Sequence, residues 1–313
     1  MPPTAVSEHT DKLMTDFALG YQNQEFVADQ IFPVVPVDYE TDKYDVFGLE
    51  DRDVVEDLHP DNGGYTRVTH GKSQDSYACL DRGLEDAIPF RKINNADPTV
   101  KGNLVERATA NLMQRILLNR EKRVLEKVGT GSNWTTTAAL SGIARWDNAE
   151  SDPVTTILTY KTAMRALGVE PDTLFLAGDV WDKLQVHPTF MEVFKNTGII
   201  SSVAQIAARF EISRIILSRA VYNTTKPGQN RSLSLLFSKK AFLFRSPPPG
   251  DVGMATPKCG AIFCWTGDTE GQRYLVERYD DKAIRGHVVR VRSNTDEKIT
   301  AADFGCLLTT VIS

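Results

Sequence analysis

The most regular hydrophobic pattern in the chain is a helical stripe between residues 100 and 128. Its positions recur three and four residues apart, and the face is marked by Val105, Thr109, Leu112, Ile116, Leu117, Val124, Leu125 and Val128. Asp97-Pro98 is typical of a helix start, and Gly129 is typical of a helix end. At about 1.5 Å per residue, the pattern predicts a rod of roughly 40 Å. Few small domains need one helix of that length.

Residues 38–96, which precede this helix, alternate only weakly between apolar and polar positions. One short run lies around Tyr44 and Phe47 and another around Tyr65 and Val68, with a strong turn sequence at residues 61–64 between them. The pattern predicts a long two-stranded hairpin with no core of its own. Because an isolated hairpin is only marginally stable in water, we expect this one to lean on other structure.

The first 37 residues divide into a polar segment and an apolar run. Residues 1–30 carry only scattered apolar side chains, so we expect an arm that cannot fold alone. Residues 31–37 are apolar, but Pro33 and Pro36 lack the backbone N–H that a central strand needs. We therefore predict an edge strand or an extended segment for this run.

From residue 151 onward the pattern predicts a compact α/β unit followed by a sheet. Helices are expected after Asp152, Asp179 and Ser202, whose side chains can accept from the free N–H groups of a helix start. Strands are expected at 173–177 and 212–221. Successive strands of one antiparallel sheet are predicted at 233–244, 259–265, 273–279, 287–292 and 304–312. The predicted fold class is α+β.

Composition and charge exclude several classes of protein. The 313 residues are 41% hydrophobic and 25% charged, and the net charge of −5 argues against a dedicated nucleic-acid binder. No window approaches the roughly 20 apolar residues of a membrane helix, and no signal peptide is expected. The cysteines Cys79, Cys259, Cys264 and Cys306 have no framework spacing, so we expect buried free thiols in a reducing cytoplasm.

No group of residues has the spacing of a catalytic or ligand site. The glycine-rich stretch at residues 129–132 ends a helix and lacks the lysine of a phosphate loop. The five histidines share no metal-ligand spacing, and His187 is expected to have a local structural role. Acidic pairs such as Glu50-Asp51 are typical of solvated turns. We therefore assign no catalytic, cofactor-binding or metal-binding residue and predict that the chain is not an enzyme.

The order of these segments resembles that of the Hong Kong 97-type major capsid proteins of tailed phages. The most specific match is Asp29 before the apolar run at 31–37, followed by the strand sequence Lys43-Tyr44-Asp45-Val46-Phe47. Gly83-Leu84-Glu85 resembles the end of the family's extended loop, and residues 219–223 resemble a strand and turn late in its compact domain. The resemblance covers nearly the whole chain.

The resemblance implies an N-terminal arm at 1–37 and an extended loop at 38–96. It also implies a peripheral domain with a spine helix and antiparallel sheet at 97–150 and 226–313, and a compact axial α/β domain at 151–225. The extended loop would lie over a neighbouring subunit. Candidate contacts between subunits are Phe32, Pro33, Tyr44, Phe47, Tyr65, Arg67, Lys72, Arg115 and Arg123.

The implied function is a head shell in which the chain assembles with itself, as pentamers and hexamers, around double-stranded DNA. Expected partners are a separate scaffolding protein and a portal protein, with a decoration protein as a further candidate. Non-specific contact with packaged DNA is expected, and no membrane or cofactor. The chain would assemble in the host bacterial cytoplasm and end in the virion capsid. Two alternatives stay open: an encapsulin-type nanocompartment shell and, more remotely, a soluble enzyme.

Overall fold

The structure is a computed structural model. It describes residues 9–10, 26–46, 54, 57–58, 67, 73–96, 103–195, 202–226, 228–247, 253–254 and 256–313. The described helices are α1 Ala28–Ile31, α2 Phe90–Asn94, α3 Leu104–Val128, α4 Pro153–Ala166, α5 Gly178–Gln185, α6 Pro188–Lys195 and α7 Val203–Arg209. The described strands are β1 His9–Thr10, β2 Val34–Val37, β3 Thr41–Val46, β4 Ser73–Ala78, β5 Leu80–Pro89, β6 Thr136–Ala139, β7 Thr173–Ala177, β8 Arg214–Ser218, β9 Val221–Asn223, β10 Leu233–Leu235, β11 Ala241–Phe244, β12 Gly260–Trp265, β13 Leu275–Asp281, β14 Gly286–Ile299 and β15 Gly305–Thr309.

The long strand β14 is the centre of a six-stranded sheet. Along one edge, β13 pairs with its first half and β12 with its second half, while β5 pairs with the other edge, all antiparallel. β2 joins β12 in parallel, and β1 joins β13. Helix α3 covers one face of this sheet, where Leu112, Met113 and Ile116 share a buried core with Val289 and Val291.

Helix α3 confirms the predicted long helix. It has 25 residues, and Gly129 follows its last residue as predicted. At 1.5 Å per residue the helix is about 37 Å long. The predicted start at Asp97-Pro98 is wrong for this helix, because it begins at Leu104 and the non-helical Asn103 is its N-cap residue. The helix is apolar along the side that faces the sheet, so it acts as the rigid support of the six-stranded sheet.

A second sheet has the order β6-β15-β11-β7-β8 and is mixed. β11 is antiparallel to both β7 and β15, whereas β8 runs parallel to β7 and β6 parallel to β15. Its central strands are buried at almost every position, with Phe175, Leu243 and Leu307 fully buried. Strands covered on both faces need an apolar side chain on each face, which explains their continuous apolar runs.

The prediction of one antiparallel sheet for residues 233–312 is wrong. β12, β13 and β14 lie in the six-stranded sheet, but β11 and β15 lie in the second sheet with β7. The physical reason is that β11 and β12 are buried at nearly every position, so their patterns are alike and only their distant partners place them in different sheets. The second sheet therefore joins residues from both sides of the predicted boundary at 225.

Two of the three predicted helix caps are confirmed. The Asp152 carboxylate accepts from the backbone N–H groups of Val154 and Thr155, and Ser202 forms a capping box with Gln205. The prediction for Asp179 is wrong, because this residue lies in the first turn of α5 rather than before it. Its carboxylate instead accepts from the Ser238 hydroxyl at 2.9 Å and the Lys239 N–H at 3.0 Å.

The proline-containing run forms an edge strand, as predicted. β2 pairs in parallel with β12 at the end of the six-stranded sheet. Just before it, the Phe32 ring fills the space above Gly260, where a Cβ atom would lie 2.4 Å from the ring. This close approach requires glycine at position 260. Among the described residues, no helix combines the length and the apolar character needed to cross a lipid bilayer.

Candidate assembly surfaces

The β3–β4 hairpin, formed by residues 41–46 and 73–78, is the described part of the two-stranded hairpin predicted for residues 38–96. Its register pairs Thr41 with Ala78 and Val46 with Ser73. The predicted turn at residues 61–64 lies outside the described residues. Within the two described strands, the buried side chains are Tyr44 and Tyr77, and most of the others are exposed. A two-stranded ribbon with so little buried surface has no core of its own.

The base of the hairpin is attached to the six-stranded sheet through aromatic rings. The ring centroid of Tyr77 lies 4.5 Å from that of Phe263 in a stacked arrangement, and that of Tyr44 lies 5.1 Å away. The Tyr44 hydroxyl donates to Asp75 at 3.0 Å, and burial together with this acceptor raises the pKa of Tyr44. The Ala78 N–H donates to Asp296 at 3.1 Å. These contacts fix the direction in which the hairpin leaves the body.

The chain exposes apolar side chains both before and after β3. Tyr39 is 67% exposed, and Val54, within the predicted extended loop, has its whole side chain exposed. Single exposed apolar side chains are common on protein surfaces, so the lack of a core in the hairpin is the stronger reason to expect burial against another molecule. The hairpin and the residues that follow β3 are therefore the first candidate assembly surface.

A charged groove lies on the face of the six-stranded sheet opposite α3. Its volume is about 430 Å³, and it is lined by Asp81, Gly83, Leu84, Glu85, Glu277, Arg290 and Arg292. Glu277, which is almost fully buried, lies between Arg290 at 3.5 Å and Arg292 at 3.1 Å. Because the acidic and basic groups pair with one another, the groove is a polar surface rather than a site for one sign of charge.

The basic residues of α3 divide into an internal and an external set. Arg123 forms a bidentate pair with Glu297 of β14, whose side chain is 2% exposed: Nη2 donates to Oε1 at 2.8 Å and Nε donates to Oε2 at 3.1 Å. Lys127 donates to the backbone carbonyl of the same residue. Arg115, by contrast, is exposed on the helix surface. The first set holds the helix to its own sheet, and only the second can meet another subunit through its charge.

The predicted contact residues fall into three groups. Pro33 is half-buried, and Arg67 and Arg115 are exposed. Phe32 is fully buried in its own chain, Tyr44 is 6% exposed, and Arg123 is engaged with Glu297, so their side chains serve the interior of the subunit. Phe47, Tyr65 and Lys72 lie outside the described residues.

Nothing in the described segments resembles a catalytic or metal centre. No group of three metal-ligand side chains occurs there. His187 and Ser151 are 3.0 Å apart, but both are buried and both contact the Asn148 carbonyl, which is the local structural role predicted for His187. All four cysteines are buried free thiols, as predicted, and burial raises the pKa of Cys259 to about 12.

Two phage proteins are similar to this chain over almost its full length. The major capsid protein of Pseudomonas phage JBD67 is 28% identical over 305 residues, covering 94% of each chain. The major capsid protein of Burkholderia phage BcepMu is 26% identical over 282 residues, covering 86% of this chain and 90% of its own. No protein-family model matches the chain.

Solved structures show the same fold at lower identity. A phage-related protein from Bordetella bronchiseptica superposes with a TM-score of 0.78 at 21% identity, covering 97% of this chain and 98% of its own. The capsid of cyanophage P-SCSP1u gives 0.57 at 9% identity over 93% of this chain and 90% of its own, and a virus-like particle from Pyrococcus furiosus gives 0.55 at 11% over 95% and 96%. The chain has the Hong Kong 97-type fold of phage capsids. This capsid protein is a structural subunit of the phage head shell and not an enzyme.

Sequence reasoning missed two features of the capsid protein. Glu121 lies on the apolar side of α3, between Leu117 and Val124, and is fully buried. Phe263 is the ring on which the hairpin base stacks. A carboxylate in the apolar stripe of a helix was the available signal for Glu121. For Phe263 the sequence offers no signal, because its partners are more than 180 residues away.

Proposed function

We propose that this capsid protein forms the pentamers and hexamers of an icosahedral head that encloses double-stranded DNA. In this proposal, the extended loop at 38–96 of one subunit lies over the adjacent subunit. Contacts between subunits would then involve Pro33, Phe47, Tyr65, Arg67, Lys72 and Arg115. The axial unit at 151–225 would supply the loops that meet at the centres of pentamers and hexamers.

One observation carries the proposal: the β3–β4 hairpin leaves the body of the subunit without a core of its own. Its two buried tyrosines anchor only its base, on Phe263. The exposed side chain of Val54 lies farther along the same loop. A closed shell built from one chain needs contacts between unlike surfaces of neighbouring copies. A long loop supplies such contacts while tolerating the different angles of pentamers and hexamers.

The other partners are proposed from the family resemblance. They are a separate scaffolding protein, a portal protein and a decoration protein. Packaged DNA would meet the inner face only weakly, because the chain has a net charge of −5.

The test is electron microscopy of particles formed when the chain is expressed with and without the scaffolding protein of its phage. We expect closed shells of pentamers and hexamers from the unmodified chain. Val54→Asp should lower the yield of shells more than tenfold, because an unpaired charge is costly to bury in an interface. Val54→Ile is the matched control and should assemble normally.

Normal shells from Val54→Asp would contradict the proposed role of the loop. The nucleic-acid content of particles from infected cells separates the phage head from the encapsulin alternative. Shells that hold an enzyme cargo and no double-stranded DNA would overturn the proposed function.

A further inference from the structure

A second groove lies at the C-terminal end of α3, beside the base of the extended loop. Its volume is about 280 Å³, and the charged residues that line it are Arg82, Arg123, Lys127, Glu126, Asp296 and Glu297. Because side chains alternate along a strand, Arg82 lies on the same face of β5 as Leu84 and Ile88, which pack in the core beneath α3. The groove therefore lies where the extended loop joins the long helix.

Arg82 has no partner among the described residues. Its Nε atom is buried and makes no hydrogen bond, and its guanidinium forms no ion pair there. The two other cations of the groove are engaged, because Arg123 pairs with Glu297 and Lys127 donates to the backbone carbonyl of Glu297. A buried donor without an acceptor costs free energy, so Arg82 is placed to receive a carboxylate.

The two remaining carboxylates of the groove have partners of their own. Glu126 pairs with Lys122 at 3.7 Å, and Asp296 pairs with Lys298 at 3.9 Å. The Asp296 carboxylate also accepts from the Ala78 N–H at 3.1 Å. The groove itself therefore offers Arg82 no free carboxylate.

The extended loop contains a strongly acidic segment. Residues 50–61 carry six carboxylates and one arginine, and their formal charge of −5 equals the net charge of the whole chain. Asp57 of this segment is exposed and forms no ion pair with a described residue. Val54 and Leu58 are exposed as well, Leu58 to 76%. The segment therefore offers an unpaired carboxylate together with apolar side chains.

The edge of the groove combines the same two kinds of group with the opposite charge. Leu80 precedes Arg82 by two residues, so both side chains lie on one face of β5, and Leu80 is 55% exposed. Across an interface, opposite charges fix the register of the partners, and apolar contacts supply the buried area. The groove and the acidic segment are therefore complementary in charge and in polarity.

We propose that the groove at Arg82 receives the acidic segment 50–61 of a second copy of this chain, with the Asp57 carboxylate facing the Arg82 guanidinium. The inference rests on the proposed function, in which the extended loop lies over the adjacent subunit, and it names the place where the loop binds. The hairpin then has a contact on a neighbouring subunit in addition to the aromatic contacts at its base.

The first test joins two cysteines placed beside the charged pair. Leu58→Cys and Leu80→Cys are introduced into separate full-length chains, which are mixed during assembly and treated with a short bismaleimide. We expect a covalent dimer from the mixture, because both leucines are exposed and the two charged residues are intact. The unmodified chain should give no dimer, since its four cysteines are buried.

The second test reverses the charges in the same cysteine-bearing chains. Arg82→Glu in the Leu80→Cys chain should lower the yield of covalent dimer by at least roughly tenfold, because like charges then face each other. Asp57→Arg in the Leu58→Cys chain should restore the yield to within about threefold. Arg107→Glu is the matched control, because Arg107 is exposed at the opposite end of α3, and it should leave the yield unchanged.

Shells that form from the mixture without a covalent dimer would overturn the inference and leave the proposed function standing. A cross-link found only within single chains that carry both cysteines would do the same, because the loop would then cover the groove of its own subunit. A dimer yield that Arg82→Glu does not lower, or that Asp57→Arg does not restore, would contradict the ion pair. Unmodified chains that form no shells would overturn the proposed function and the inference with it.

Discussion

At the residue scale, the ion pair between Arg123 and Glu297 is a contact inside the subunit, whereas an exposed arginine of the same helix is free to contact a neighbouring subunit. Arg123→Ala would leave the Glu297 carboxylate, 2% exposed, without its bidentate partner. Breaking a buried pair on one side is strongly destabilising, because the remaining charge stays buried without compensation. We expect the free energy of unfolding of the free subunit to fall by about 3 kcal/mol, measured by urea denaturation.

Arg115→Ala is the matched control on the same helix, because Arg115 is exposed. Its effect on the stability of the free subunit should be within about 0.5 kcal/mol, and its effect, if it meets a neighbour, should appear in shell yield. Equal stability of the two variants would show that the pair with Glu297 does not hold α3 to the sheet.

At the scale of elements, the direction of the β3–β4 hairpin depends on Tyr77. Tyr77→Ala removes the ring that stacks on Phe263 at 4.5 Å and should weaken the hairpin base by about 2 kcal/mol without unfolding the body. Amide hydrogen exchange in residues 73–78 should then be roughly 30-fold faster. Tyr39→Ala is the control, since the Tyr39 side chain is 67% exposed. Unchanged exchange in 73–78 would contradict this role of the aromatic base.

Elements could be predicted where the signal is local. The stripe and closing glycine of α3, the caps at Asp152 and Ser202, and the edge position of β2 all follow from neighbouring residues. Asp179 was predicted wrongly for the opposite reason. Its carboxylate accepts hydrogen bonds from Ser238 and Lys239. These residues are about 60 positions away in the sequence, so they give no signal near the helix start.

At the scale of the whole molecule, the sequence does not show which of the strands β11 to β15 belong to which of the two sheets. β11 and β12 are both short, apolar and buried, so their patterns are alike. Their partners differ: β11 lies between β7 and β15, whereas β12 lies between β14 and β2. The same limit applies to the candidate contacts. Phe32 is apolar like an interface residue, but Gly260 creates the internal space that takes up its ring.

The charge of the whole molecule leads to a prediction about DNA. The net charge is −5, and two arginines of β14, Arg290 and Arg292, are engaged with the carboxylate of Glu277. Affinity for duplex DNA depends on cations that replace counterions along the phosphate backbone. We therefore expect the free subunit to bind labelled duplex DNA more weakly than about 10⁻⁴ M at physiological salt, measured by fluorescence anisotropy. Any binding seen in dilute buffer should disappear as salt is raised to about 0.2 M. A gel shift that persists at that salt would contradict the prediction and would require a concentrated basic surface on the inner face of the shell.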